Sequence, residues 1–298
     1  MGATAASGAL HQRVISAAAA EMIESHGLSA FGDLGYPPDF PHFRYVNPSA
    51  PKGGTFSQIG PDRLYNQNFL TFNSLNTFIL KGDAAQGMEL TFAALMVRSG
   101  DEPDAMYGLA AEKVRRSADG LIYQFFLRTG AKFHDGSQLT ARDVAFSLNM
   151  LKEKGHPLIS QSLRDFVGAK ADDDARVTVT FAPKRARDVP LFVAGLPIFS
   201  RTYYATRPFD QSTLDIPLGS GPYKVGRFEP GRYIEYQRVA DWWGTELPVA
   251  RGHNNFDTLR FEYYRDRDVG FEGFSAQSYL FREEYTSRFW ATPTIFPQ

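Results

Sequence analysis

The chain has 298 residues, with 32 basic and 33 acidic side chains and a formal charge of -1. That balance argues against nucleic acid and against an anionic membrane surface as partners. There is no cysteine, which excludes disulfides and thiolate metal sites, and no run of about eighteen apolar residues long enough to span a membrane.

In chain order, residues 1–30 are Ala-rich and read as a leader or a helix. Their apolar run is soon broken by Glu21 and Glu24, so they make a poor signal peptide. Residues 31–61 are dense in Pro, Gly and aromatics and read as an extended segment, with a strand around Thr55 to Ile59. Residues 83–97 place Met88, Phe92 and Leu95 at helical spacing and predict a helix. Alternation of Leu121, Tyr123, Phe125 and Leu127 predicts a strand, and Val177, Val179 and Phe181 predict a second. "GPYKVGRFEPGRYIEYQRV" is a hairpin turning at "EPGR". "DTLRFEYYRD" is a further strand, followed by a short helix in "DVGFEGFSAQ". Strands and helices mix without a strict βαβ rhythm, so the class is α/β with a mixed sheet, or α+β.

"AKFHDGSQLTARDVAFSL" sets His134, Asp135 and Ser137 side by side, the residue types of a hydrolase triad. A nucleophile, base and orienting acid must converge on one point, and near neighbours in an extended turn diverge. The stretch reads better as a strand, an Asp-Gly turn and a capped helix. Thr140 and Asp143 would form its capping box, Val144, Leu148 and Leu151 its buried stripe, and Gly155 its stop.

The block "LAAEKVRRSADGLIYQFFLRTGAKFHDGSQLTARDVAFSL" resembles the oligopeptide/dipeptide-binding family of extracellular solute-binding proteins, the ligand receptors of ABC importers. "PLGSGPYKVGRFEPGRYIEYQRVADWWG" and "FDTLRFEYYRDRDVGFEGFSAQSYLFREEYTSRFWAT" follow in the family's order, and "YVNPSAPKGGTF" and "EYTSRFWAT" look most like the subfamily linked to murein-peptide and microcin C uptake. "GFSAQSYLF" departs from the pattern, where a small residue and Gly usually precede an acidic position.

The resemblance implies a two-lobed receptor of the type II periplasmic-binding fold, of which this chain supplies the N-terminal lobe and ends where the second would begin. Residues 31–81 and 196–264 would form the lobe core, 82–195 an inserted α/β subdomain, and 265–298 the crossover and the start of a truncated second lobe. It also implies a periplasmic location, a peptide or peptide-like ligand, delivery to a membrane permease and its ATPase, and no catalysis. A complete receptor would be a monomer; a lone lobe exposes its cleft face and could self-associate. Two other readings stand beside this one: a non-transporting lobe or interaction module, and a hydrolase using His134 or Glu283 and Glu284.

For the ligand face, Asn73 and Asn76 offer donors and acceptors to a peptide backbone, or cap their own turn. Glu102, Asp104 and Tyr107 lie near the lobe rim, or are simply solvated. Of Trp242 and Trp243, one reads as core and the other as a stacking surface. Arg282, Glu283, Glu284, Tyr285, Arg288 and Trp290 crowd together where the crossover borders the cleft. Gly219 and Gly221 read as a turn into the hairpin. His156 and His253 have no partners at metal spacing, and no phosphate loop or dinucleotide fingerprint appears, so neither metal nor cofactor is expected.

Overall fold

A computed structural model of the chain describes residues 22–291. In order these form β1 (Met22–Ser25), β2 (Gly27–Ser29), β3 (Thr55–Gln58), a 3-10 turn (Met88–Thr91), β4 (Met96–Arg98), β5 (Ala105–Gly108), β6 (Ala111–Ser117) and β7 (Ile122–Leu127). Then come α1 (Ala141–Lys154), α2 (Pro157–Ser162), β8 (Phe166–Ala171), β9 (Arg176–Phe181), α3 (Val189–Ala194) and α4 (Arg201–Tyr204). The last group is β10 (Tyr223–Glu229), β11 (Tyr233–Arg238), β12 (Thr258–Glu262), α5 (Arg267–Ser275) and α6 (Ser287–Ala291).

Three sheets result. An antiparallel five-stranded sheet runs β1-β6-β7-β9-β8, a four-stranded sheet runs β10-β11-β12-β3, and a three-stranded sheet runs β2-β5-β4. The period-2 pattern decides which face is buried: Tyr123, Phe125 and Leu127 of β7 and Val177, Val179 and Phe181 of β9 all turn inward. Onto them α1 lays Val144, Leu148 and Leu151, completing the largest core cluster. Each such side chain contributes about 1.5–3 kcal/mol by leaving water.

The four-stranded sheet is mixed: β10, β11 and β12 are antiparallel, while β12 and β3 run parallel with Thr258 opposite Thr55 and Phe261 opposite Gln58. Its inner face carries Tyr223, Ile234, Tyr236 and Phe261, packed on Phe72, Leu75 and Met88. Buried Tyr236 donates its hydroxyl to the Gln86 carbonyl, and the Gln86 N–H donates to the Tyr263 hydroxyl at 2.7 Å. Two tyrosines thus pin one residue of the 59–92 loop to the sheet.

α1 carries the predicted capping box. Asp143 Oδ2 accepts from the Thr140 N–H at 2.9 Å and the Thr140 hydroxyl at 2.7 Å, while Oδ1 accepts from the Arg201 N–H at 2.9 Å. The carboxylate therefore joins two helix starts.

Two sequence expectations need correction. Residues 83–97 do not form a helix but a 3-10 turn at Met88–Thr91 and then β4. Gly87 has φ 80°, which breaks a right-handed helix, and the Asn73 and Ala85 N–H groups bond across to the Asp83 and Ser74 carbonyls instead. Residues 22–29 are not helical either. β1 adds to the edge of the five-stranded sheet, where Glu24 pairs with Lys113 at 3.1 Å and Arg115 at 2.7 Å. The rest of the expected leader, residues 1–21, lies outside the described residues.

Two stability predictions follow from these contacts. Asp143→Ala removes three bonds and leaves part-buried donors at two helix starts without their acceptor, so it should lower unfolding stability by about 2 kcal/mol, read from the urea midpoint. The second concerns pH. Burial lowers the pKa of His134, His156 and His253 below the ordinary 6.5, with nearby Lys52 adding to the effect at His253. The unfolded chain then takes up protons before the folded one does, so stability is full above about pH 6.5 and falls as pH drops below it. His156 Nδ1 accepts from the Leu158 N–H at 3.2 Å, a bond that only the neutral ring makes. Thermal melts between about pH 7.5 and 5.5 should show the decline, and His156→Asn, a capping residue without a titrating ring, should flatten part of it.

Candidate functional site

Because β3 and β12 run parallel, the chain leaves both strands at the same end of the sheet. Ligands collect outside the carboxyl ends of such strands, where the connections diverge. Here the connections are residues 59–70 after β3 and 263–266 after β12. They enclose a cavity of about 700 Å³ together with the segment 282–285. That volume lies in the range of small-ligand sites, about 300–1,000 Å³.

The third wall is held by the returning chain. After α5 the backbone comes back to the free edge of β3, and the Leu280 and Phe281 N–H groups donate to the Ser57 carbonyl at 3.0 and 3.1 Å. Arg282, whose side chain is only 5% exposed, then donates to Glu284 Oε2 at 2.7 Å, to the Tyr279 hydroxyl at 3.2 Å and to the Arg267 carbonyl at 3.3 Å. Glu284 also takes the Thr286 N–H at 2.7 Å and Arg267 at 3.3 Å. Burial opposes the charged form of Glu284, but the Thr286 and Arg282 bonds outweigh it and set its pKa below the ordinary value. Phe271 and Phe289 stack at 4.3 Å beside the Arg282 guanidinium, excluding water from it.

The fourth wall is apolar and open. Phe69 and Leu70 are 36% and 46% exposed at the tip of their loop, and Asn68 holds that tip by accepting the Leu70 N–H at 2.8 Å. Ile59, Pro61, Tyr264 and Tyr285 continue the surface.

Of the residues singled out in the sequence, Tyr285 and Arg282 line this cavity along with Glu283, and Glu284 fixes its wall. Arg288 lies just beyond, donating to Asp268. Trp290 falls in α6, its side chain outside the described residues. The others lie elsewhere, committed to internal bonds. Asn73 Oδ1 accepts the Asp83 N–H at 2.9 Å, closing its own turn. Asn76 is buried, donating to the Phe209 carbonyl at 2.7 Å and accepting the Phe78 N–H at 3.2 Å. Glu102 accepts from the Gly35 N–H at 2.6 Å and the Tyr107 hydroxyl at 2.8 Å, and Asp104 pairs with Arg98 at 2.6 Å. Tyr107 is packed among Tyr36, Phe40 and Phe43; burial and the Glu102 carboxylate push its phenol above the usual range. Trp242 and Trp243 both donate to the Ser220 carbonyl, at 2.9 and 3.1 Å, and Trp242 is core. Sequence reading missed Arg63, Asn68, Phe69, Leu70, Tyr264 and Asp266; the available signal was an apolar pair inside a polar loop.

The triad-like residues do not meet as a nucleophile and base. Ser137 Oγ donates to Asp135 Oδ1 at 2.6 Å, while His134 Nε2 donates to the Gly221 carbonyl at 2.9 Å. The His134 N–H also bonds the Gly219 carbonyl at 2.8 Å. His134 is thus a joint between the Asp-Gly turn and the loop entering β10. That joint needs glycine: a Cβ on Gly219 would stand 2.2 Å from the Thr91 carbonyl oxygen, and one on Gly221 2.6 Å from that of Leu90.

Residues 105–292 match the sequence profile of the bacterial extracellular solute-binding proteins, family 5. A putative binding protein of Brucella melitensis is 38% identical over 269 residues, which is 86% of this chain and 42% of that protein. The probable peptide-binding protein YejA of Agrobacterium fabrum is 35% identical over 302 residues, 99% of this chain and 48% of that one. The chain spans about half the length of the curated relatives it matches. Among solved structures, the oligopeptide-binding protein AppA of Bacillus subtilis superposes with a TM-score of 0.63 at 19% identity, over 81% of this chain and 46% of that one. Helicobacter pylori DppA, solved with a peptide, gives 0.62 at 16% identity, over 82% and 50%. With its mixed α/β fold and a profile match across most of its described length, the chain belongs to the family 5 extracellular solute-binding proteins.

Proposed function

We propose that this chain is the first lobe of the substrate-binding component of an ABC importer, a periplasmic receptor for peptides or peptide-like compounds. The observation that carries the reading is the cavity at the shared exit of β3 and β12, with its apolar bed and a wall fixed by Arg282 and Glu284. In this reading the lobe core is 31–81 with 196–264, the inserted subdomain is 82–195, and the crossover starts at 265. The four-stranded sheet draws its strands from the two core segments, and α1 and most of the five-stranded sheet come from the insert.

Binding without turnover is the chemistry such a surface supports. Phe69, Leu70 and Tyr285 offer adaptable apolar contact to varied side chains, and the rigid wall fixes where the ligand lies. Ser137 bonds Asp135 within the turn, but the His134 ring bonds the Gly221 carbonyl and neither of them, so the three form no nucleophile–base relay. The names of the relatives point the same way, because the Agrobacterium fabrum YejA is described as a probable peptide-binding protein.

Native mass spectrometry of the purified chain should show an added peptide mass that leaves on mild unfolding. Phe69→Ala and Tyr285→Ala should each weaken peptide affinity about tenfold with little change in melting temperature, since both side chains are exposed and neither belongs to a core cluster. Cleaved peptide in the bound fraction, or affinity unchanged in both variants, would overturn the reading.

A further inference from the structure

We infer that the cavity takes a zwitterionic ligand, with a cationic amino group at Glu283 and a carboxylate at Arg63. The inference rests on the peptide-binding reading and adds a charge pattern and a direction to it. The argument is an inventory of the charges that line one cavity.

Arg63, Asp266, Arg267, Arg282 and Glu283 all face the space. Three of them are spoken for. Arg267 and Arg282 share Glu284, at 3.3 and 2.6 Å. Asp266 caps α5, accepting the Val269 N–H at 2.8 Å. Two remain. Arg63 makes no ion pair or side-chain hydrogen bond among the described residues, and Glu283 meets no cation there, accepting only the Tyr285 hydroxyl.

One cation and one anion, neither in an ion pair among the described residues, therefore line the same cavity on different walls. Arg63 belongs to the loop after β3; Glu283 belongs to the returning segment. A ligand of one sign would meet one group and leave the other without a partner; because both groups keep access to water, what each pairing adds is a charge-assisted hydrogen bond. A neutral sugar would leave both. A ligand with an ammonium and a carboxylate satisfies both, and the planar Arg fork is the natural carboxylate partner. A short peptide with free ends is such a molecule. Its amino end would lie at the crossover and its carboxyl end at the β3 loop, with its side chains over Phe69 and Leu70.

The test is calorimetric titration of the full 298-residue chain with four forms of one tripeptide, Ala-Phe-Ala: free, N-acetylated, C-amidated and doubly blocked. In the native chain each single block should weaken binding about tenfold, as loss of a charge-assisted hydrogen bond does. In Glu283→Gln the acetyl effect should vanish and the amide effect persist; in Arg63→Gln the reverse should hold. Both positions are exposed, so unchanged melting temperatures would confirm that the variants fold. Free and blocked peptides binding the native chain equally, or an acetyl effect that survives in Glu283→Gln, would overturn the charge pattern and leave peptide binding intact. No binding of any form would overturn both readings.

Discussion

The parallel pairing of β3 with β12 is the constraint on which the site depends. The two strands lie about two hundred residues apart in the chain, with Thr258 set beside Thr55. Parallel pairing sends both outgoing loops to one end of the sheet, and antiparallel pairing would send them to opposite ends. It also leaves the far edge of β3 open to the returning chain, which takes it through Leu280 and Phe281. One early stretch of sequence and two late ones, separated from it by about two hundred residues, thereby come to surround one cavity. The tyrosines that hold Gln86, and the core of Phe72, Ile234 and Phe261 beneath, keep that sheet end rigid.

The Arg282–Glu284 pair is better understood as a positioning device than as a source of stability. Both side chains are nearly dry, at 5% and 10% exposed, and taking two charges out of water costs several kcal/mol before their attraction returns it. Replacing such a pair with apolar residues often leaves a fold no less stable. What apolar residues would not supply is direction. Arg282 reaches Tyr279, the Arg267 carbonyl and Glu284 at once, which fixes the path of the backbone just before Glu283 and Tyr285. The neighbouring residues can then face the cavity on a short, well-held stretch.

Local features were legible in the sequence because local rules set them. The hairpin at "EPGR", the alternation in β7 and β9 and the Thr140–Asp143 capping box depend on residues a few positions apart, and the structure bears each of them out. Residues 83–97 were misread because Met88, Phe92 and Leu95 do turn inward, but from a 3-10 turn and the loop beyond it rather than from one helix face. Apolar spacing records burial and not the element that achieves it. The lining of the candidate cavity was half legible for a related reason. The charged cluster after the crossover stood out by composition, whereas Phe69 and Leu70 look like any buried pair until the loop's exit from β3 is known to leave them open. Asn76, Tyr107 and Trp242 look like ligand contacts in a list of residue types; only burial and bond partners show that they hold the interior together.

The Asp-Gly turn makes the same point about chemistry. His134 looks like a base, yet its ring reaches a loop 87 positions later and bonds the Gly221 carbonyl. Gly219 and Gly221 lie against the 90–92 backbone with no room for a Cβ, so the joint has no slack. The turn belongs to the five-stranded unit and the glycine loop feeds β10 of the four-stranded sheet, so the two units are locked where they meet. A packed joint has few alternative arrangements. Freedom to adjust lies instead in side chains at the opposite end of the four-stranded sheet, where Phe69, Leu70 and Tyr285 are exposed on a rigidly held backbone. Under the proposed receptor reading, that division would place stiffness where the units join and side-chain freedom at the candidate cavity.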